Sequence, residues 1–193
     1  MKRYLFAVPA LCLAAFPAMA DGFSYNYVQA GWETVDLDVS GGSDVDGDGF
    51  GVGGSFEVGD DFFIGASYGK ADFDFGVDFT TLQVGFGWHT GLTDNTDFVA
   101  SLSYVEGEVD APGFGSFDDS GYGASIGVRS NVSDAVELFG AISYVDYGDG
   151  GDSTGIGGGF WYNLNETFSL GMNIATDDDV TSWGAGVRVY FNQ

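Results

Sequence analysis

From Thr80 to His89, TTLQVGFGWH, the chain alternates without a break. Thr80, Leu82, Val84, Phe86 and Trp88 hold the even positions, and Thr81, Gln83, Gly85, Gly87 and His89 the odd ones. One face is apolar and ends in an aromatic ring; the other is small or polar. A period of two marks a strand lying between two different environments. The pattern predicts ten strands, at approximately 23–35, 50–58, 62–71, 79–89, 97–105, 120–130, 136–146, 154–163, 167–175 and 182–191. In a soluble sandwich the apolar face would be the core. Here the second face is rich in Gly and Ser, as in Gly121, Gly123, Ser125 and Gly127 or Gly155, Gly157 and Gly159. A closed barrel, apolar outside and polar inside, accounts for both faces.

The connections fall into two kinds. Short polar turns are expected at Gly59–Asp61, Thr90–Thr96, Asn131–Ala135 and Leu164–Glu166. Acidic connections are expected at Asp36–Gly49, Asp72–Asp78, Glu106–Asp119, Tyr147–Ser153 and Asp177–Thr181. Short turns on one rim and longer loops on the other are how transmembrane barrels are built. The fold class predicted is therefore all-β, an antiparallel up-and-down transmembrane β-barrel of ten strands, with eight as the alternative. The first strand fits least well. Phe23, Tyr25 and Tyr27 share one face while Val28, Ala30 and Trp32 share the other, which predicts a bulge or a change of face.

Residues 1–20 read as a cleaved secretory signal: Lys2 and Arg3, an apolar run from Tyr4 to Phe16, and Ala18-Met19-Ala20 before Asp21. The barrel domain is then 21–193. The single cysteine, Cys12, lies inside the signal, so disulfides do not staple the exported part. Charge narrows the partners. After the signal, only Lys70, Arg129 and Arg188 oppose 29 Asp and Glu. Such a surface repels nucleic acid and attracts cations. Strong acidity often means disorder, but 17% aromatics in regular alternation argue for a packed barrel.

Several local motifs resemble a known group. They are Ser24-Tyr25-Asn26-Tyr27-Val28, Gly121-Tyr122 with Gly127-Val128-Arg129-Ser130, and Tyr144-Val145-Asp146-Tyr147. With the strand-and-turn pattern, they make the chain similar to the small Gram-negative outer-membrane barrels of OmpA-like and porin-like character. Within these it looks closest to the xanthomonad barrels described as activators of plant immunity. Such barrels usually end on an aromatic, whereas here Asn192 and Gln193 follow Phe191. The resemblance implies fold and location: the Gram-negative outer membrane, with termini in the periplasm and acidic loops outside.

Three sets of residues could carry chemistry. Asp44, Asp46 and Asp48, with Gly49, look like the start of a calcium loop, yet position 12 is Ser55 rather than Glu. A solvated acidic loop that shares weakly held Ca2+ or Mg2+ with its neighbours is the plainer expectation, and no other cofactor is implied. His89 is the only histidine, predicted to face inward near Asp97 across a turn. No local motif supplies a nucleophile beside it, so no enzyme is expected. Arg129 and Arg188 are the cations that face the lumen, and Glu57 and Glu137 face it from the same rim. A turn centred near Ser133 would set Arg129 opposite Glu137. Together with His89 and Asp97, these six residues predict an ionic plug rather than a selectivity ring. The functional expectation is a non-enzymatic surface barrel, a monomer meeting lipid, lipopolysaccharide and divalent cations. A narrow cation-preferring channel is the alternative.

Overall fold

The computed structural model describes residues 23–38, 45–177 and 180–191. They form ten antiparallel strands: β1 (Tyr27–Leu37), β2 (Val45–Glu57), β3 (Phe62–Phe73), β4 (Val77–Thr93), β5 (Thr96–Ala111), β6 (Gly115–Ser133), β7 (Val136–Asp146), β8 (Asp152–Asn163), β9 (Phe168–Asp177) and β10 (Val180–Tyr190). Each strand pairs with its sequence neighbours, and β1 pairs with β10, so the sheet closes on itself. The ten-strand expectation holds, and the eight-strand alternative falls. Closure is also what lets an all-strand chain satisfy its backbone polar groups in lipid, because no edge is left unpaired.

Outward positions carry the apolar band. On β5 they are Phe98, Ala100, Leu102 and Tyr104, and on the facing stretch of β6 Tyr122, Ala124, Ile126 and Val128. Rings gather at both ends of the band. Phe62 stacks on Phe86 at 5.3 Å, and Trp88 meets Phe98 edge-on at 6.2 Å. At the far end Tyr104 meets Tyr122 at 6.0 Å. This is the arrangement that places amphipathic rings at the two lipid–water boundaries.

Past those tyrosines the two faces exchange character without any change of register. Outward positions on β5 become Glu106, Glu108 and Asp110, while inward Val105 and Val109 are buried. Val35, Ala71, Phe79, Val145, Ala175 and Val180 are buried on other strands, and Val105, Val145 and Tyr147 pack together. Within lipid the apolar face must point out; in water it must point in. The strands therefore continue as an ordinary water-facing barrel wall with a small apolar collar of its own. That is why the acidic connections are shorter than their sequence suggests. The one at Glu106–Asp119 is nearly all strand, with only residues 112–114 outside β5 and β6. Just beyond β7, burial pushes the Tyr147 hydroxyl up to about 12, with the Asp177 and Asp119 charges adding to it.

At mid-height the lumen wall is thin and hydrogen-bonded, with Gln83 donating to Ser103 at 2.8 Å and Ser101 bonded to Ser125 at 2.7 Å. Elsewhere its glycines are seats for rings. Phe63 stands opposite Gly87, Phe73 opposite Gly47, Phe139 opposite Gly159 and Trp161 opposite Gly171. In each pair a Cβ on the glycine would overlap the ring across from it. The aromatic covers the bare backbone and so keeps the register.

The expected change of face within the first strand does not occur. β1 starts only at Tyr27 and keeps one parity, with Val28 and Trp32 outward and Tyr27 inward. Residues 23–26 lie outside the strand, although the Asn26 carbonyl still accepts from the Phe191 N–H at 3.1 Å.

Two tests follow in lipid-vesicle unfolding titrations. Val84→Arg should cost ~2–4 kcal/mol and Ser120→Arg nearly nothing, because only the first lies in the apolar band. Gly171→Ala should cost about 1–3 kcal/mol through overpacking against Trp161, and Gly140→Ala much less, since the nearest atom to its Cβ position, Gly157 O, lies at an ordinary 3.7 Å.

Candidate functional site

The chain enters the barrel before it joins the wall. Phe23 to Asn26 lies inside the end that carries the short turns, and Tyr25 is completely buried there. Its ring sits between His89, at 4.0 Å and 20°, and Phe63, at 4.8 Å and 17°. Its hydroxyl donates to Asp97 Oδ2 at 3.1 Å, and its backbone N–H to Glu57 Oε1 at 2.6 Å. Asn26 fastens the same carboxylate. Its Nδ2 donates to Glu57 Oε2 at 2.7 Å, and the Glu57 N–H donates back to Asn26 Oδ1 at 3.1 Å. The segment's polar groups are thus satisfied by wall residues, as burial requires.

Two guanidinium groups are buried at this end, one of them under the segment. Arg129 is wholly buried and donates from Nε to Glu137 Oε1 at 3.0 Å, with Glu137 equally buried. Phe23 and Tyr25 cover it, their ring centres 4.2 and 4.7 Å from Cζ. The register differs from the expected one: Phe139 stands opposite Arg129, and Glu137 opposite Asn131. An irregularity between Asn131 and Ser133 shifts the hairpin. The pair forms all the same, along the diagonal that long side chains span. Arg188 is held differently. Gln29 Oε1 accepts from its Nε at 3.1 Å and its Nη2 at 2.8 Å, while Trp161 and Tyr27 lie 3.9 and 4.4 Å from Cζ. A desolvated cation over aromatic faces gains about 2 kcal/mol or more per good contact.

His89 Nδ1 lies 3.5 Å from Asp97 Oδ2, although Val99 is its partner across the hairpin. Asp97 thus serves His89 and Tyr25 together. The structure brings Arg129, Glu137, His89, Asp97, Glu57 and Arg188 to one end of the lumen, bound by rings and amides as much as by charge. Sequence reasoning missed Tyr25, Asn26, Gln29, Phe63 and Trp161 as members. The signal was present in Phe23, Tyr25 and Tyr27, whose shared face was read as an imperfect strand.

The acidic set is arranged otherwise. Asp44 lies outside the described residues. Asp46 and Asp48 belong to β2, not to a loop, and point outward. Val45, Gly47 and Gly49 keep the alternation going, so the carboxylates space out along one face instead of wrapping an ion. Among the described residues no group of three or more His, Cys, Asp or Glu is placed to hold a metal. What the register does create is rows of like charge. Asp36 faces Asp46, and Asp48, Asp72, Asp78 and Asp110 stand side by side across four strands. Lys70 bridges two of them, at 3.1 Å to Asp72 and 2.9 Å to Asp78.

Removing one partner of the Arg129–Glu137 pair strands a buried charge, so Glu137→Ala should cost about 3–5 kcal/mol in urea titrations. Arg129→Ala with Glu137→Ala should cost clearly less than the sum of the single changes. Additive costs would mean that the two groups act independently.

The architecture is shared with known barrels. The KdgM porin, solved in complex with disordered oligogalacturonate, matches 86% of this chain and 99% of its own, at 9% identity and a TM-score of 0.50. At that identity the likeness is one of fold. Neisserial surface protein A matches 87% of this chain and 98% of its own, at 20% identity and a TM-score of 0.46. Ail, the attachment invasion locus protein of Yersinia pestis, matches 87% and 100%, at 13% identity and a TM-score of 0.45. No curated protein matches the chain. The model of the outer membrane protein beta-barrel domain matches residues 6–192, nearly the whole sequence, and the chain belongs to that family.

Proposed function

We propose that the protein is a non-enzymatic surface barrel of the Gram-negative outer membrane, closed to ions by its own N-terminal segment. The observation that carries this is Tyr25, with no exposed surface, clamped between His89 and Phe63 and tied to Glu57 and Asp97. In a narrow barrel a few such side chains fill the bore. With residues 1–20 removed as a signal, Phe23 is the third residue of the exported chain, so the stopper is its very beginning. The stopper end then faces the periplasm and the acidic wall faces outward. His89 is spent on holding a ring, which leaves it poorly placed as a general base.

The acidic rim attracts cations. Carboxylates set directly opposite one another repel, and Ca2+ or Mg2+ shared between them and lipopolysaccharide phosphates relieves that repulsion. The protein works as a monomer in this reading. The narrow cation-preferring channel remains the second reading, favoured by the Gly and Ser lining at mid-height, and it requires the stopper to leave.

Planar-bilayer recording in asymmetric KCl separates the two. The parent should be silent, and Tyr25→Ala with Asn26→Ala should leak a cation-selective current. A steadily conducting parent would overturn the closed reading. A double variant as silent as the parent would remove the segment from the role of stopper, and anion selectivity would overturn the charge argument.

A further inference from the structure

Above the lipid band the hairpin of β5 and β6 outgrows its neighbour. β6 begins at Gly115, but its first partner on β7 is Asp146, opposite Tyr122. Residues 115–121 therefore have β5 on one side and no strand on the other. The apolar collar explains this. Tyr147 turns inward to pack, buried, with Val105 and Val145, and the chain leaves the wall there. At the other end of the hairpin the Asn131 N–H donates to Asn95 O at 2.9 Å, and the β5–β6 register runs on from there without a shift. Odd-numbered residues of β6 thus turn their backbone groups to β5, and Ser116, Asp118 and Ser120 turn theirs to the open side. The Ser120 N–H accordingly finds the Asp119 carboxylate, at 2.8 Å, instead of a strand. Among the described residues no backbone group bonds these three from the open side. The edge is also held in place. Its turn closes with the Phe114 N–H donating to Ala111 O at 3.0 Å, and Pro112 Cγ lies 3.4 Å from where a Gly76 Cβ would be, so the hairpin leans on the β3–β4 connection.

We infer that this edge is a docking site for an extended peptide strand in which basic and apolar side chains alternate. Unpaired N–H and C=O groups along a strand edge are a template for one further strand. The two faces of the hairpin set the pattern. On the outer face Ser116, Asp118 and Ser120 stand beside Asp110, Glu108 and Glu106. On the other face Phe117 stands opposite Val109. Val109 is 3% exposed and Phe117 49%, because no residue of β7 covers it. A strand added here sets every second side chain against carboxylates and the ones between against Phe117. Residues 105–121 hold five carboxylates and no cation, so charge complementarity calls for Lys or Arg at the outer positions. The same carboxylates turn away a second copy of the chain, whose edge would bring Asp118 against Asp118. At ~3.4 Å per residue the open stretch spans roughly 24 Å, room for a peptide of about seven residues. The surface shares no residue with the stopper, so the bilayer recordings and the binding test fail separately.

The probe is an acetylated, amidated heptapeptide of alternating Lys and Val, titrated into 15N-labelled protein in non-ionic micelles. Binding should saturate by calorimetry. The Asp118 amide should then exchange more slowly with solvent, while the Phe117 amide, already paired with β5, stays as it was. A peptide of the same composition with all its Lys first and its Val after, and one with Glu in place of Lys, should each bind roughly tenfold more weakly. Asp118→Pro and Asp118→Ala lose the same charge, but only proline also removes an N–H from the open edge, a position where strands tolerate it. Asp118→Pro should therefore bind roughly tenfold more weakly than Asp118→Ala, both keeping the heat-modifiable gel mobility of a folded barrel. A parent that does not bind the alternating peptide would overturn the site. Equal binding of the block-ordered peptide, or by the two Asp118 variants, would reduce the surface to bulk charge attraction and overturn strand addition. Equal binding of the Glu peptide would overturn the charge assignment. A dimer in micelles that Asp118→Pro dissolves would make the edge an interface between copies and overturn the peptide as its occupant.

Discussion

A guanidinium without exposed surface sets the terms for everything around it. Arg129 sits in the wall of a barrel whose far side is lipid, so water cannot neutralise it from either direction. Glu137 supplies the charge, but one Nε contact at 3.0 Å leaves most of the group to be covered by something else. Phe23 and Tyr25 provide that cover, and to do so the chain must turn inward before β1 begins. The position of the N-terminal segment, the clamp at Glu57 and the shared use of Asp97 follow from this one requirement. Arg188 poses the same problem on the opposite side and solves it with an amide and three rings.

The second constraint is the solvent boundary. A strand's parity is fixed by geometry, while the meaning of each face is fixed by what lies against it. On β5 the same outward row runs from Leu102 and Tyr104 to Glu106 and Glu108, and the inward row from Ser103 to Val105 and Val109. Lipid ends between Tyr104 and Glu106. The extension beyond it rises as wall rather than as loops, which is how rows of carboxylates come to stand in register instead of scattering over mobile segments.

The wall was legible in the sequence because a period of two is local and survives errors at strand ends. So was the convergence of Arg129, Glu137, His89 and Asp97, since inward parity and nearness to a short turn are enough to place them. The pairing of Arg129 was legible only approximately. A bulge near Asn131 shifts the register by amounts that no hydrophobic pattern records. The inward path of residues 23–26 was hidden for another reason. Phe23 and Tyr25 look like strand residues, and only the demand of a buried cation elsewhere in the chain draws them out of the sheet. Asp46 and Asp48 misled in the opposite direction: their spacing suits a calcium loop and an outward strand face equally well.

The closing seam carries a consequence for how this molecule comes into being. Gln29 and Arg188, 159 residues apart, bond across the β1–β10 junction, and Tyr27 meets Tyr190 beside them at 6.4 Å. The latch that holds the cylinder shut is thus made from the first and last strands of the barrel. No partial chain can rehearse it, and intermediate hairpins gain nothing from it. Assembly therefore ends in a single late event that joins the first strand to the tenth, and the completed ring is the earliest species in which Arg188 has a home.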